Sequence, residues 1–118
     1  MTTCVDFEGT ICKHVDDTLV RYADFGPMLT SAETISSATV TCADDTALTI
    51  SSVSVISVDT SVPTRQGTRL ISANKGISFA LAAGTAITET AEPVRMKISA
   101  TLSTGKVAVR TARLRVSN

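Results

Sequence analysis

The chain has 118 residues, the commonest size for one domain, with 11 basic and 11 acidic side chains balancing to zero net charge. A nucleic-acid binder draws most of its affinity from a basic excess, and this chain has none, nor paired aromatics on which bases stack. Ser and Thr account for 32 residues, Trp is absent, and the aromatics are Phe7, Tyr22, Phe25 and Phe79. A core must then come from Val, Ile, Leu and Ala, and the many β-branched residues predict strands rather than helices.

The N-terminus, Met1 to Glu8, has neither a basic segment nor an apolar one, so no signal peptide is expected. No apolar run nears the roughly 18 residues of a membrane span. Synthesis and retention in a cytoplasm is the expectation. Cys4, Cys12 and Cys42 form no CxxC pair. A Cys4–Cys12 bridge is sterically feasible, but free thiols are expected in a reducing compartment.

The first dozen residues show no period and read as an extended arm, assigned to residues 1–17, with a sandwich domain over 18–118. Leu19 to Tyr22 reads as a strand closed by the Gly26-Pro27 breaker. Ile35 to Cys42 is the next, with Ala38, Val40 and Cys42 expected inside. Ala43 to Thr46 is a turn in which Asp side chains cap backbone amides. From Leu48 to Val58 the apolar phase changes between Ile50 and Val53 and again between Val55 and Val58, predicting a bulge or two short strands.

Asp59 to Gly67 reads as a loop and Arg69 to Ser72 as a short edge strand. Asn74-Lys75-Gly76 turns into Ile77 to Leu81, with Ile77, Phe79 and Leu81 on one face. Val94, Met96, Ile98, Ala100 and Leu102 alternate against Arg95, Lys97, Ser99 and Thr101, the clearest half-buried strand in the chain. Ser103-Thr104-Gly105 is a hairpin loop with Gly105 at positive φ. In the final strand Ala112, Leu114 and Val116 share a parity that Val107 and Val109 do not. Either a bulge near Thr111 flips the face, or the two valines point outward as a subunit contact. Short, evenly spaced strands closing in a long hairpin predict an all-β, immunoglobulin-like antiparallel β-sandwich; a closed barrel is the alternative.

No catalytic, cofactor or metal site emerges. His14 is the only histidine, beside Asp16-Asp17, and reads better as a surface residue than as a general base. Cys4, Cys12, His14 and Cys42 match no zinc spacing, and the Asp44-Asp45 and Asp16-Asp17 pairs match no calcium loop. There is no GxSxG elbow and no GxxxxGK[ST] phosphate loop. A non-enzymatic protein is the expectation. The basic residues lean toward the C-terminus (Arg95, Lys97, Lys106, Arg110, Arg113 and Arg115), which reads either as steering for subunit contacts or as solvated strand faces.

One ordered set of motifs goes further. Lys13-His14-Val15-Asp16-Asp17-Thr18-Leu19, followed by Tyr22 and by Asp24-Phe25, resembles the opening of the phage fibre–tail adaptor family, with Phe25 where Trp is usual. Glu33 to Val40 is similar to that family's Ile-x-Ser-x-Thr-Val strand, and Phe79 to Ala86 to its Gly-Gly-Thr turn, with Ala83-Gly84 in place of Gly-Gly. Ile98 to Lys106 resembles its Thr-x-x-Gly-Arg hairpin, so the likeness runs from Lys13 to Val116. The arm from Thr2 to Cys12 is additional.

The resemblance implies a structural protein of a tailed-phage virion, present in several copies and binding neighbouring tail, neck, fibre or capsid proteins. The balanced charge, the lack of paired aromatics and the lack of a long apolar run lead to the expectation of no nucleic-acid or membrane partner. An adaptor between tail or neck and fibre is the first expectation, and a capsid decoration (cement) protein the alternative. A carbohydrate-binding module is disfavoured by the scarcity of aromatics. The candidate partner-binding residues are Cys4, Val5, Phe7, Ile11 and His14 in the arm, with Val107 and Val109 near the final hairpin.

Overall fold

In a computed structural model, residues 10–64, 67–88 and 90–118 are described. The apolar alternations become nine strands among them: β1 (Thr10–His14), β2 (Leu19–Asp24), β3 (Ile35–Thr41), β4 (Leu48–Val55), β5 (Thr60–Thr64), β6 (Gly67–Ile71), β7 (Gly76–Ala83), β8 (Val94–Leu102) and β9 (Val107–Ser117). A four-stranded sheet in the order β1-β9-β8-β3 faces a three-stranded sheet in the order β2-β7-β4, and β5 and β6 form a separate ribbon. The fold is an all-β, immunoglobulin-like sandwich, antiparallel except where β1 runs parallel to β9.

The period-two pattern decides which atoms meet between the sheets. On β8 the side chains of Met96, Ile98, Ala100 and Leu102 are buried, and Arg95 and Lys97 alternate outward. On β7 Ile77, Phe79 and Leu81 are buried, as their alternation predicts. Leu114 and Val116 of β9, with Phe25 just after β2, complete the centre of the core. Each such side chain contributes about 1.5–3 kcal/mol by leaving water, so a core with two aromatics still holds.

The irregularities have local causes. The phase change after Ile50 is a register shift between Ser51 and Ser54, where Ser52 takes a left-handed φ of 53°. A second shift, between Ile35 and Ser37, lets Ile35 share the core with Val40, although strict alternation puts them on opposite faces. β9 carries no flip near Thr111. Ala108, Arg110, Ala112, Leu114 and Val116 keep one parity, and Val107 and Val109 point outward. Gly105 has the expected positive φ, 87°, and its N–H donates to Leu102 O at 2.9 Å to close the hairpin.

Three expectations need correction. The segment 10–14 is not a free arm: it pairs residue by residue with Arg113 to Ser117 of β9, and the Val15 N–H adds a bond to Ser117 O at 2.8 Å. A parallel edge pairing of five residues leaves no sequence period that distinguishes it from an arm. Second, the stretch expected as a loop after Asp59 contains β5, which tolerates Pro63 because the ribbon is open on that side. Third, Cys12 is disulfide-bonded and not free, while Cys42 is a free thiol. Cys4, the remaining cysteine of the chain, lies outside the described residues.

Candidate binding surfaces

Most charged groups that sequence alone leaves unassigned are used inside the fold. Lys13 is buried, and its Nζ donates to the carbonyls of Ala83 (2.7 Å), His14 (2.8 Å) and Val15 (3.3 Å), tying β1 to the end of β7. Lys75, in the β6–β7 turn, ties that turn to the segment before β3, donating to Glu33 O at 2.6 Å, Thr30 O at 3.0 Å and Ser31 O at 3.1 Å. Arg110 projects inward from β9 and donates to Asp24 O, while Arg115 donates to Thr88 O and Ala91 O. These cations serve carbonyls that strand pairing leaves open.

The carboxylates are similarly occupied. Asp45 is buried and accepts from Thr85 N–H (2.8 Å), the Thr85 hydroxyl (3.0 Å) and Ala47 N–H (3.1 Å), so the expected turn cap also locks the segment after β7. Glu33 accepts from Thr30 N–H at 2.9 Å and the Thr104 hydroxyl at 3.1 Å. Chiefly the Thr30 N–H, then the Thr104 hydroxyl, holds its carboxyl below the usual carboxylate range. Asp24 caps Gly26 N–H and meets Arg69 Nε at 2.9 Å, fastening the β5–β6 ribbon to the sandwich. The sequence signal for the long-range roles is slight, because Thr85, Thr104 and Arg69 lie far along the chain from the carboxylates they meet.

The predicted arm residues divide. Cys4, Val5 and Phe7 lie outside the described residues. Ile11 packs against the core and is not offered outward as the arm reading expected. His14 is exposed, and its Nδ1 accepts the Asp16 N–H at 3.0 Å, shaping the β1–β2 turn. Cys42 is half-buried with Sγ 3.4 Å from Arg95 O, and burial is the main cause pushing its thiol pKa up, which favours the unreactive protonated form. Among the described residues no group of three or more His, Cys, Asp or Glu is placed to hold a metal ion. No helix among them is long and apolar enough to cross a membrane.

What faces outward is the far side of the four-stranded sheet. Val107 stands opposite Thr101 and Val109 opposite Ser99, and the two valines are 61% and 41% exposed. Further along the same face Lys97 stands opposite Thr111 and Arg95 opposite Arg113. Small hydroxyls on β3 and β8 fill the rest. A shallow cavity of about 320 Å³ lies beside Val109, walled by Thr41, Arg95, Lys97 and Thr111, with Asp44 at its rim. A second, of about 440 Å³, lies between Asp24, Leu29, Leu70 and Lys75, but both of its charged groups are already bonded within the chain. No family model, curated protein or solved structure matches this chain.

Proposed function

We propose that this chain is a non-enzymatic structural component of a tailed-phage virion, binding neighbouring virion proteins as an adaptor between tail or neck and fibre. The observation that carries the binding part of this reading is the outer face of the four-stranded sheet. There two valines stand exposed in a field of small hydroxyls, beside the Arg95, Lys97 and Arg113 cations. An apolar centre with a charged margin is the layout of a protein contact. The phage assignment rests on the ordered motifs from Lys13 to Val116 and their resemblance to the adaptor family.

The alternative is a capsid decoration protein, which the same surface would serve equally. Copy number separates the two. A symmetric ring of about six or twelve copies per particle fits an adaptor, and hundreds fit a lattice of cement. The direct test of the surface is Val107→Lys in the phage. The variant folds and its incorporation into particles falls sharply; normal incorporation would show that this face is not the contact.

A further inference from the structure

A sandwich has open edges, and each is a row of backbone donors and acceptors ready to pair with another chain unless something blocks it. Here nearly every edge is blocked in a recognisable way. β1 turns the charged Lys13 inward and buries it. β2 carries Arg21 and Asp24. β4 is broken by its bulge, with Ser52 in a left-handed conformation. The ribbon carries Pro63 on β5 and Arg69 on β6.

β3 is the exception. It ends the four-stranded sheet, and its bulge at Ile35 is tied down by the bond from Ile35 N–H to Asn74 O at 2.9 Å. From Ser37 to Thr41 it is regular, with no charge, no proline and no positive φ. Its register with β8 is continuous there, and among the described residues no strand is hydrogen-bonded to its other side.

We infer that this edge, residues 37–41, is a homotypic contact, pairing antiparallel with the same strand of a second copy about a two-fold axis at Thr39. The inference rests on the assembly reading and names one contact within it. The strand is complementary to itself in that register. Ala38, half-buried, would stand opposite the partner's Val40, which continues the core side. Ser37 would stand opposite the partner's Thr41, and Thr39 opposite the partner's Thr39, which continues the hydroxyl-lined outer face. An isologous contact demands this kind of self-match, and an uncharged strand brings no like charges together across the axis.

The contact is short. It buries much less than the roughly 1,600 Å² of a stable interface, so it is weak between free monomers and gains strength where an assembly holds copies side by side. It is therefore read by sedimentation equilibrium of the full chain at concentrations up to about 1 mM. The wild type rises toward the dimer mass with concentration. Thr39→Lys and Thr39→Glu each stay at the monomer mass, because like charges meet at the axis. Their equimolar mixture associates again, and added salt weakens that association.

Thr39 is exposed, so both variants are expected to keep the wild-type thermal midpoint. Should either fail to fold, hydrogen exchange on the wild type gives an independent reading, since amides in 37–41 must slow as concentration rises. A wild type that stays monomeric at about 1 mM, a Thr39→Lys chain that associates like the wild type, or a mixture that does not associate would each overturn the inference. Association that Thr39→Lys leaves intact and Val107→Lys abolishes would overturn it while leaving the assembly reading in place.

Discussion

Lys13 carries its charge into a sheet edge where the side chain is 2% exposed, and three carbonyls receive its ammonium. Replacing it with Met keeps most of the apolar stem but leaves Ala83 O without this donor. A loss of about 2 kcal/mol is expected, the usual cost of removing a buried charged donor, measured by urea unfolding. Gly76 is constrained by space. A Cβ there would sit 2.4 Å from Ile71 Cγ2 and 2.9 Å from the Ala23 carbonyl oxygen, which belongs to the neighbouring strand and cannot easily retreat. Gly76→Ala is expected to cost about 1–3 kcal/mol by the same assay, in the range of overpacked cores.

Glu33 gives the fold a pH dependence of known sign. Its carboxyl is held below its ordinary value of 4.5 in the folded chain, so the stabilisation is complete above that value. It is lost as pH falls through the lowered folded value. Glu33→Gln should therefore flatten the acid limb of the stability profile and lower the midpoint at neutral pH, as followed by thermal unfolding from pH 7 downward.

At the scale of elements, the sequence is most readable where alternation is long and one face is buried. β7 and β8 follow their patterns residue for residue, and the break in β4 shows as a change of phase at Ile50. β9 is ambiguous in sequence because its inward row begins with Ala108 and Arg110, an alanine and a charge, while valines point out. Only the cross-strand register resolves that. β1 is invisible because a short edge strand that sends a lysine inward breaks the rule by which strands are recognised. Val107 and Val109 were therefore legible as candidates, but Ile11 was assigned to a surface when it packs inside.

Two predictions belong to this scale. Val107→Lys changes a side chain that is 61% exposed, so stability moves by no more than about 0.5 kcal/mol while assembly suffers. Unfolding of that variant would instead place Val107 in the core. Removing residues 1–14 takes away β1 and the Lys13 amine, and a clear fall in the unfolding midpoint is expected.

For the whole molecule, zero net charge conceals an uneven layout. Lys13, Lys75, Arg110 and Arg115 bond carbonyls within the chain, and Arg95, Lys97 and Arg113 stand on one outer face with Val107 and Val109. On the proposed reading, a module organised in this way would meet its neighbours through that face and the β3 edge. The most direct test of the proposed role counts this chain by mass spectrometry in purified particles of the phage that the proposal makes its source. A fixed, symmetry-matched copy number that survives stringent washing is the predicted result; its absence from the particles would contradict the account.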